Sequence, residues 1–155
     1  MNKFYLYNLK KYKLFEGIIT KSLKNKKFIF LCIGNSNFSC DNFGVLIGNE
    51  LKKLKYYSFG SSIREINGKN YNYIYKFLKN KFPNFKIVII DSVYSVNSPI
   101  LIFKKGGINV SGLNSNRLIG DYGILYNSFS YSNNSFKQKI IKLLKKSFIK
   151  IANFN

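Results

Sequence analysis

Histidine is absent from the chain and cysteine occurs twice, so proton chemistry falls to the carboxylates. There are six: Glu16, Asp41, Glu50, Glu65, Asp91 and Asp121. Without an imidazole, neither a Ser-His-Asp triad nor a Cys-His pair can be assembled, and Cys40 lacks its usual base. A histidine-bound metal is excluded on the same ground, and neither a metal nor a cofactor is expected. Asp91 ends the apolar run Lys86–Asp91 (KIVIID). Its carboxylate is therefore expected at the carboxyl end of a sheet, where open α/β folds hold their ligands. Asp41 follows the polar loop Gly34–Cys40, at the mouth of a helix, behind a second apolar run. If the two runs are parallel neighbours, about 4.8 Å apart, both carboxylates enter one crevice. Close carboxylates do not both ionise cheaply. One keeps a proton at neutral pH and acts as an acid while the other polarises water, which suits the hydrolysis of an amide. Asp121, behind Gly120, is a third acidic candidate for that site. Each aspartate also has a structural reading: Asp41 as a helix N-cap, Asp91 as an acceptor for loop N–H groups, Asp121 as a turn residue. Residue types and spacing leave both readings open.

The elements that must position these groups alternate along the chain. Leu9, Tyr12, Phe15, Ile19 and Leu23 recur at helical spacing within Asn8–Lys24. Phe28–Ile33 (FIFLCI) is a continuous apolar run, as a parallel strand covered on both faces requires. Asp41–Lys55 reads as a helix with Phe43, Leu46, Ile47, Leu51 and Leu54 on one face, and Lys69–Lys81 as another, stopped by Pro83. After the strand Lys86–Asp91 come a third strand, Ile100–Phe103, and a weaker fourth, Tyr122–Tyr126, separated by the glycine-bearing loop Gly106–Gly120. Phe136–Ala152 closes the chain as a basic amphipathic helix with Phe136, Ile140, Leu143, Leu144 and Phe148 facing inward. This order predicts a three-layer α/β sandwich around a mostly parallel central sheet, with Phe28–Ile33 and Lys86–Asp91 adjacent at its centre. One domain over residues 1–155 is expected, and no repeat or Pro/Gly/Ser-rich linker divides it.

The formal net charge of +20 invites a nucleic-acid reading. Of the 26 basic residues, however, only Arg64 and Arg117 are arginine, the side chain whose planar fork reads bases and phosphates. The lysines are spread along the chain, so a solvated surface without a specific nucleic-acid partner is expected. No run approaches the roughly 18–20 apolar residues of a membrane span. Met1–Lys13 mixes aromatic residues with lysine and has no apolar signal core, so a cytoplasmic location without membrane attachment is expected. Cys32 and Cys40 form no CxxC pair, and a disulfide or zinc site is not expected. The loop CIGNSNFSCD has the outline of a phosphate cradle but neither the P-loop nor the GxGxxG spacing, which disfavours a nucleotide site.

Three segments resemble a known family. Leu31–Gly48 (LCIGNSNFSCDNFGVLIG) looks like the CIGTDRSTGDSLGPLVG segment of YyaC-like sporulation proteins. Val88–Ser92 (VIIDS) is similar to that family's strand ending in aspartate, and Gly106–Tyr126 (GGINVSGLNSNRLIGDYGILY) resembles its G-x-G-V…L-P-x-V-G-D-x-S-I stretch. Order and spacing agree over Lys27–Asn127. The resemblance implies a phosphorylase/hydrolase-like α/β fold. It also implies kinship with the germination protease of small acid-soluble spore proteins and, more distantly, with hydrogenase maturation endopeptidases. In the germination protease, the aspartate of a D-x-L-G-P motif and the one ending the next core strand are the proposed catalytic pair. Those positions match Asp41 in DNFGV and Asp91 in IIDS. Gly34, Asn35, Ser36 and Gly44 would form the loop around them, with Asp121 orienting a loop or adding a third acidic contact. In the hydrogenase peptidases the same two places hold acidic metal ligands completed by a histidine, which this chain does not have.

The chain also departs from the pattern. Cys40 replaces a glycine, Val45 replaces a proline, and Gly60–Asn67 (GSSIREIN) replaces a stretch that carries histidine. The expectation is a cytoplasmic, sporulation-associated peptidase acting on a protein substrate such as small acid-soluble spore proteins. The alternative is a catalytically inactive member that serves as a sporulation-related binding or scaffold protein.

Overall fold

A computed structural model describes residues 2–5, 9–93, 100–110, 118–127 and 134–152. The elements run β1 (Asn2–Tyr5), α1 (Leu9–Leu23), β2 (Phe28–Cys32), α2 (Phe43–Lys53), β3 (Ser58–Phe59), α3 (Tyr71–Lys81), β4 (Lys86–Val93), β5 (Ile100–Lys105), β6 (Tyr122–Asn127) and α4 (Asn134–Ala152). The strands form one sheet in the order β1-β5-β6-β4-β2-β3. β3, β2, β4 and β6 are parallel, while β5 is antiparallel to both β6 and β1. The expected central pair is present: β2 and β4 are parallel neighbours, with Phe28 opposite Lys86 and Cys32 opposite Ile90.

The apolar runs explain this centre. Every residue of β2 is buried, and so are the residues of β4 from Ile87 to Ser92. Alternation along the two strands feeds two cores. Phe30, Cys32, Val88 and Ile90 pack with Phe15 and Ile19 of α1, Phe43, Ile47 and Leu51 of α2, and Leu144 and Phe148 of α4. Ile29, Leu31, Ile87 and Ile89 pack on the other face with Tyr71 and Leu78 of α3 and with Ile108, Val110 and Ile119. Helices on both faces of the sheet make the three-layer α/β sandwich.

Three features differ from the expectation. β5 runs antiparallel, a direction that its apolar run ILIF does not encode. β1 and β3 were not anticipated, because the four residues NKFY and the two residues SF are too short for a periodic signal. α2 begins at Phe43, so Asp41 lies before the N-cap position, which is held by Asn42 without a side-chain cap bond. No helix among the described residues is long and apolar enough to cross a membrane.

Candidate functional site

The loop between β2 and α2 is folded against the carboxyl ends of β2 and β4. Ile33 N–H donates to Ile90 C=O at 2.7 Å and Gly34 N–H to Ile66 C=O at 2.8 Å, which extends the sheet into the loop. Asn35 N–H donates to Asp41 C=O at 3.2 Å and closes the loop on itself. Two glycines make this approach possible. A Cβ on Gly34 would lie 2.2 Å from the Asp41 carbonyl oxygen, and one on Gly44 would lie 2.0 Å from Ile33 O and 2.8 Å from Ile90 O. Because the opposing atoms are backbone, no side-chain adjustment relieves the contact. Gly44 thus lets the first turn of α2 rest on the strand ends, and Gly34 lets the loop close on Asp41.

Asp91 lies near the end of β4 and is 5 % exposed. One oxygen accepts the Ser92 N–H at 2.8 Å. Burial opposes ionisation more strongly than that hydrogen bond favours it, and pushes the Asp91 carboxyl up to about 8. The negative charge of Asp41 adds a smaller push in the same direction. Asp41 is only half-buried. Its carboxyl is also raised by burial, lowered by the Asn35 N–H and raised by the charge of Glu65. The pair therefore titrates in order. Asp41, better hydrated, ionises while Asp91 is still neutral and exerts no repulsion; Asp91 then holds its proton in the field of the Asp41 carboxylate.

Two side chains fix the loop that carries Asp41, and neither stood out in the sequence. The Glu65 carboxylate accepts the Ser36 N–H at 2.8 Å and the Ser36 hydroxyl, and these bonds hold Glu65 below the usual carboxylate range. Lys137, in the first turn of α4, is buried. Its ammonium donates to the Ser39 carbonyl and, at 3.0 Å, to Asn42 Oδ1. Burial pulls this ammonium down, partly countered by Cys40. The signal for Lys137 was its place in the stripe with Ile140, Ile141 and Leu144, where a lysine must find carbonyl partners to be buried. Glu65 carried no periodic signal.

Asp121 is not part of this group. It precedes β6 and sits at the amino end of the parallel strands, where its carboxylate accepts the Ile87 N–H at 2.9 Å. Lys86 and Lys79 pair with it at 3.3 and 3.8 Å. Ile87 and Asp91 are four steps apart on β4, about 13 Å at ~3.3 Å per residue. The expectation of a third acidic contact at the Asp41–Asp91 site is corrected on that geometry. A residue just ahead of a parallel strand belongs to the end opposite a residue that finishes one.

Cys32 is buried and Cys40 exposed, and no disulfide joins them. Burial raises the Cys32 thiol, which makes it a core residue and not a nucleophile. Among the described residues, no group of three His, Cys, Asp or Glu side chains is placed to hold a metal ion.

Residues 3–140 match the model of a family described as a protein of unknown function, DUF1256. The chain belongs to the DUF1256 family. The match spans β1 to the first turns of α4, and so takes in Asp41, Asp91, Glu65 and Lys137 of this DUF1256 chain. No curated protein and no solved structure matches the chain.

Proposed function

We propose that this DUF1256 chain is a sporulation-associated peptidase that hydrolyses peptide bonds with Asp41 and Asp91. The observation that carries the reading is the inequality of the two carboxyls. Asp91 is buried and protonated to about pH 8, while Asp41 is more hydrated and ionises first. The Asp41 carboxylate would take a proton from water as the water oxygen bonds to the scissile carbonyl carbon, and the Asp91 proton would pass to the carbonyl oxygen. The resulting gem-diol collapses when the proton on Asp41 moves to the departing nitrogen and the C–N bond breaks. A diol hydroxyl then returns a proton to Asp91, which restores the starting state. The sporulation context and a substrate such as small acid-soluble spore proteins rest on the likeness of LCIGNSNFSCDNFGVLIG and VIIDS to the YyaC-like pattern.

The test is incubation of wild type and Asp91→Asn with small acid-soluble spore proteins. Turnover is expected to fall by at least ~10²-fold, the usual scale for losing a general acid or base. Undiminished turnover in a folded Asp91→Asn protein would end the reading. A non-catalytic binding protein is the second reading, and the depth of Asp91 favours it, since water must reach that carboxyl for hydrolysis. Intact substrate after incubation with wild type, together with measurable binding, would favour this second reading.

A further inference from the structure

A cleft of 450 Å³ lies at the sheet edge beyond β3. Its walls are Phe59, Ile66, Ile74 and Phe77, and its polar rim carries Lys52 and Arg64. The volume falls within the ~300–1,000 Å³ of sites that bind small ligands or short peptide segments. Three observations bear on its occupant. First, β3 ends the strand order, and its only partner among the described residues is β2. Phe30 N–H bonds to Tyr57 C=O at 2.9 Å, an arrangement that turns the Ser58 N–H and C=O toward the open edge. Second, Arg64 is one of only two arginines against a lysine background, and its guanidinium has no ion pair or hydrogen bond among the described residues. The turn from Ser61 to Arg64, closed by Ser61 N–H to Arg64 C=O at 3.1 Å and pinned by Ser62 to Asn49 Oδ1, holds it at the cleft. Among the described residues, Lys52 is committed only to the Ser61 hydroxyl, at 2.9 Å. Third, Glu65 belongs to the cleft wall and also holds Ser36, so the cleft adjoins the loop that carries Asp41.

We propose that the cleft binds an acidic polypeptide segment in extended form, as a strand added to the open edge of β3. The backbone would pair with Ser58. An apolar side chain would enter between Phe59, Ile66, Ile74 and Phe77, and flanking carboxylates would meet Arg64 and Lys52. The alternation of strand side chains delivers this pattern, with apolar residues to the cleft and acidic ones to the rim. A chain of net charge +20 selects acidic segments over basic ones before contact, and Arg64 gives that attraction a fixed address. The proposal extends the peptidase reading by placing substrate beside the Asp41 loop. It does not need turnover to be tested.

The probe is a fluorescein-labelled dodecapeptide alternating glutamate with valine, followed by anisotropy at about 150 mM salt, where diffuse attraction is screened. Its match has glutamine in place of every glutamate. Binding to the full chain carrying Asp91→Asn is expected for the glutamate peptide, and on the order of tenfold weaker binding for the glutamine peptide and for Arg64→Gln. Lys21→Gln, an equal loss of charge on α1, should stay within about twofold. In 15N spectra the Ser58 and Phe59 amides should shift on addition of peptide. Equal effects of Arg64→Gln and Lys21→Gln, equal binding of both peptides, or shifts confined to α1 and α4 would overturn the proposal. Binding of the glutamate peptide together with small acid-soluble spore proteins left intact by wild type would leave this site standing and count against the catalytic reading alone.

Discussion

The two ends of β4 hold the same side chain in opposite physical settings. At the amino end, Asp121 accepts the Ile87 N–H and sits between Lys79 and Lys86, within reach of water. At the carboxyl end, Asp91 has one N–H partner, no cation among the described ion pairs, and a second carboxylate as its electrostatic neighbour. Asp121 is what a structural aspartate looks like: its charge is compensated and its hydrogen bond ties two strands together. Asp91 keeps a charge-bearing group where ionisation is costly. Asp121 can keep its charge at little cost, whereas the fold at the other end of the strand favours the neutral form of Asp91.

The largest expected contrast is in stability against pH. The Asp91 carboxyl is raised from 3.8 to about 8 in the fold, so between those values the unfolded chain releases a proton that the native chain keeps. Stability therefore falls as pH rises from about 4 to about 8 and levels off beyond, by an amount on the order of 5 kcal/mol for a shift of this size. Asp91→Asn removes that slope. Denaturant melts at pH 5 and pH 9 should show a wild-type difference that the variant lacks, and parallel profiles for the two proteins would break the contrast.

Next in size is Gly44→Ala. Its new methyl would meet the backbone carbonyl oxygens of Ile33, just past β2, and of Ile90 in β4. A loss of roughly 3 kcal/mol is expected, at the high end for single substitutions because backbone must move. A melting temperature equal to wild type would show that α2 does not rest on the strand ends as described.

The smallest effect belongs to the other end. Asp121→Ala leaves the Ile87 N–H without its acceptor and dissolves two half-exposed ion pairs. About 1–2 kcal/mol should be lost, mostly from the hydrogen bond, with no change at the carboxyl-end site. An altered pH profile of any peptidase activity in that variant would contradict the separation of the two ends.

Much of this frame was legible in the chain itself. FIFLCI and KIVIID are uninterrupted because both faces of β2 and β4 are covered, and that is a sequence-visible consequence of burial. The place of Asp91 at a strand end was legible because it finishes such a run, while Gly34 and Gly44 were marked only by the resemblance of LCIGNSNFSCDNFGVLIG. The direction of β5 was not, since pairing sense depends on where the chain returns and not on residue type. Asp121 was misplaced although the cue was present. It precedes Tyr122–Asn127, and parallel pairing with β4 sends that position to the amino end. Lys137 was hidden among the many other lysines: its place in the apolar stripe of α4 was the one cue, and its partners in space, Ser39 and Asn42, show what that cue meant.

The unequal carboxyl pair is the central claim, and it can be observed without substrate. Side-chain 13C resonances of the aspartates, followed through a pH titration of the folded protein, should show Asp91 ionising near pH 8. They should also show Asp41 ionising earlier, above the ordinary aspartate range. In Asp41→Asn the Asp91 midpoint should move down, because one source of its upward push is gone. An Asp91 midpoint near 4 in the wild-type fold would mean that the carboxyl is an ordinary solvated aspartate and would contradict the account.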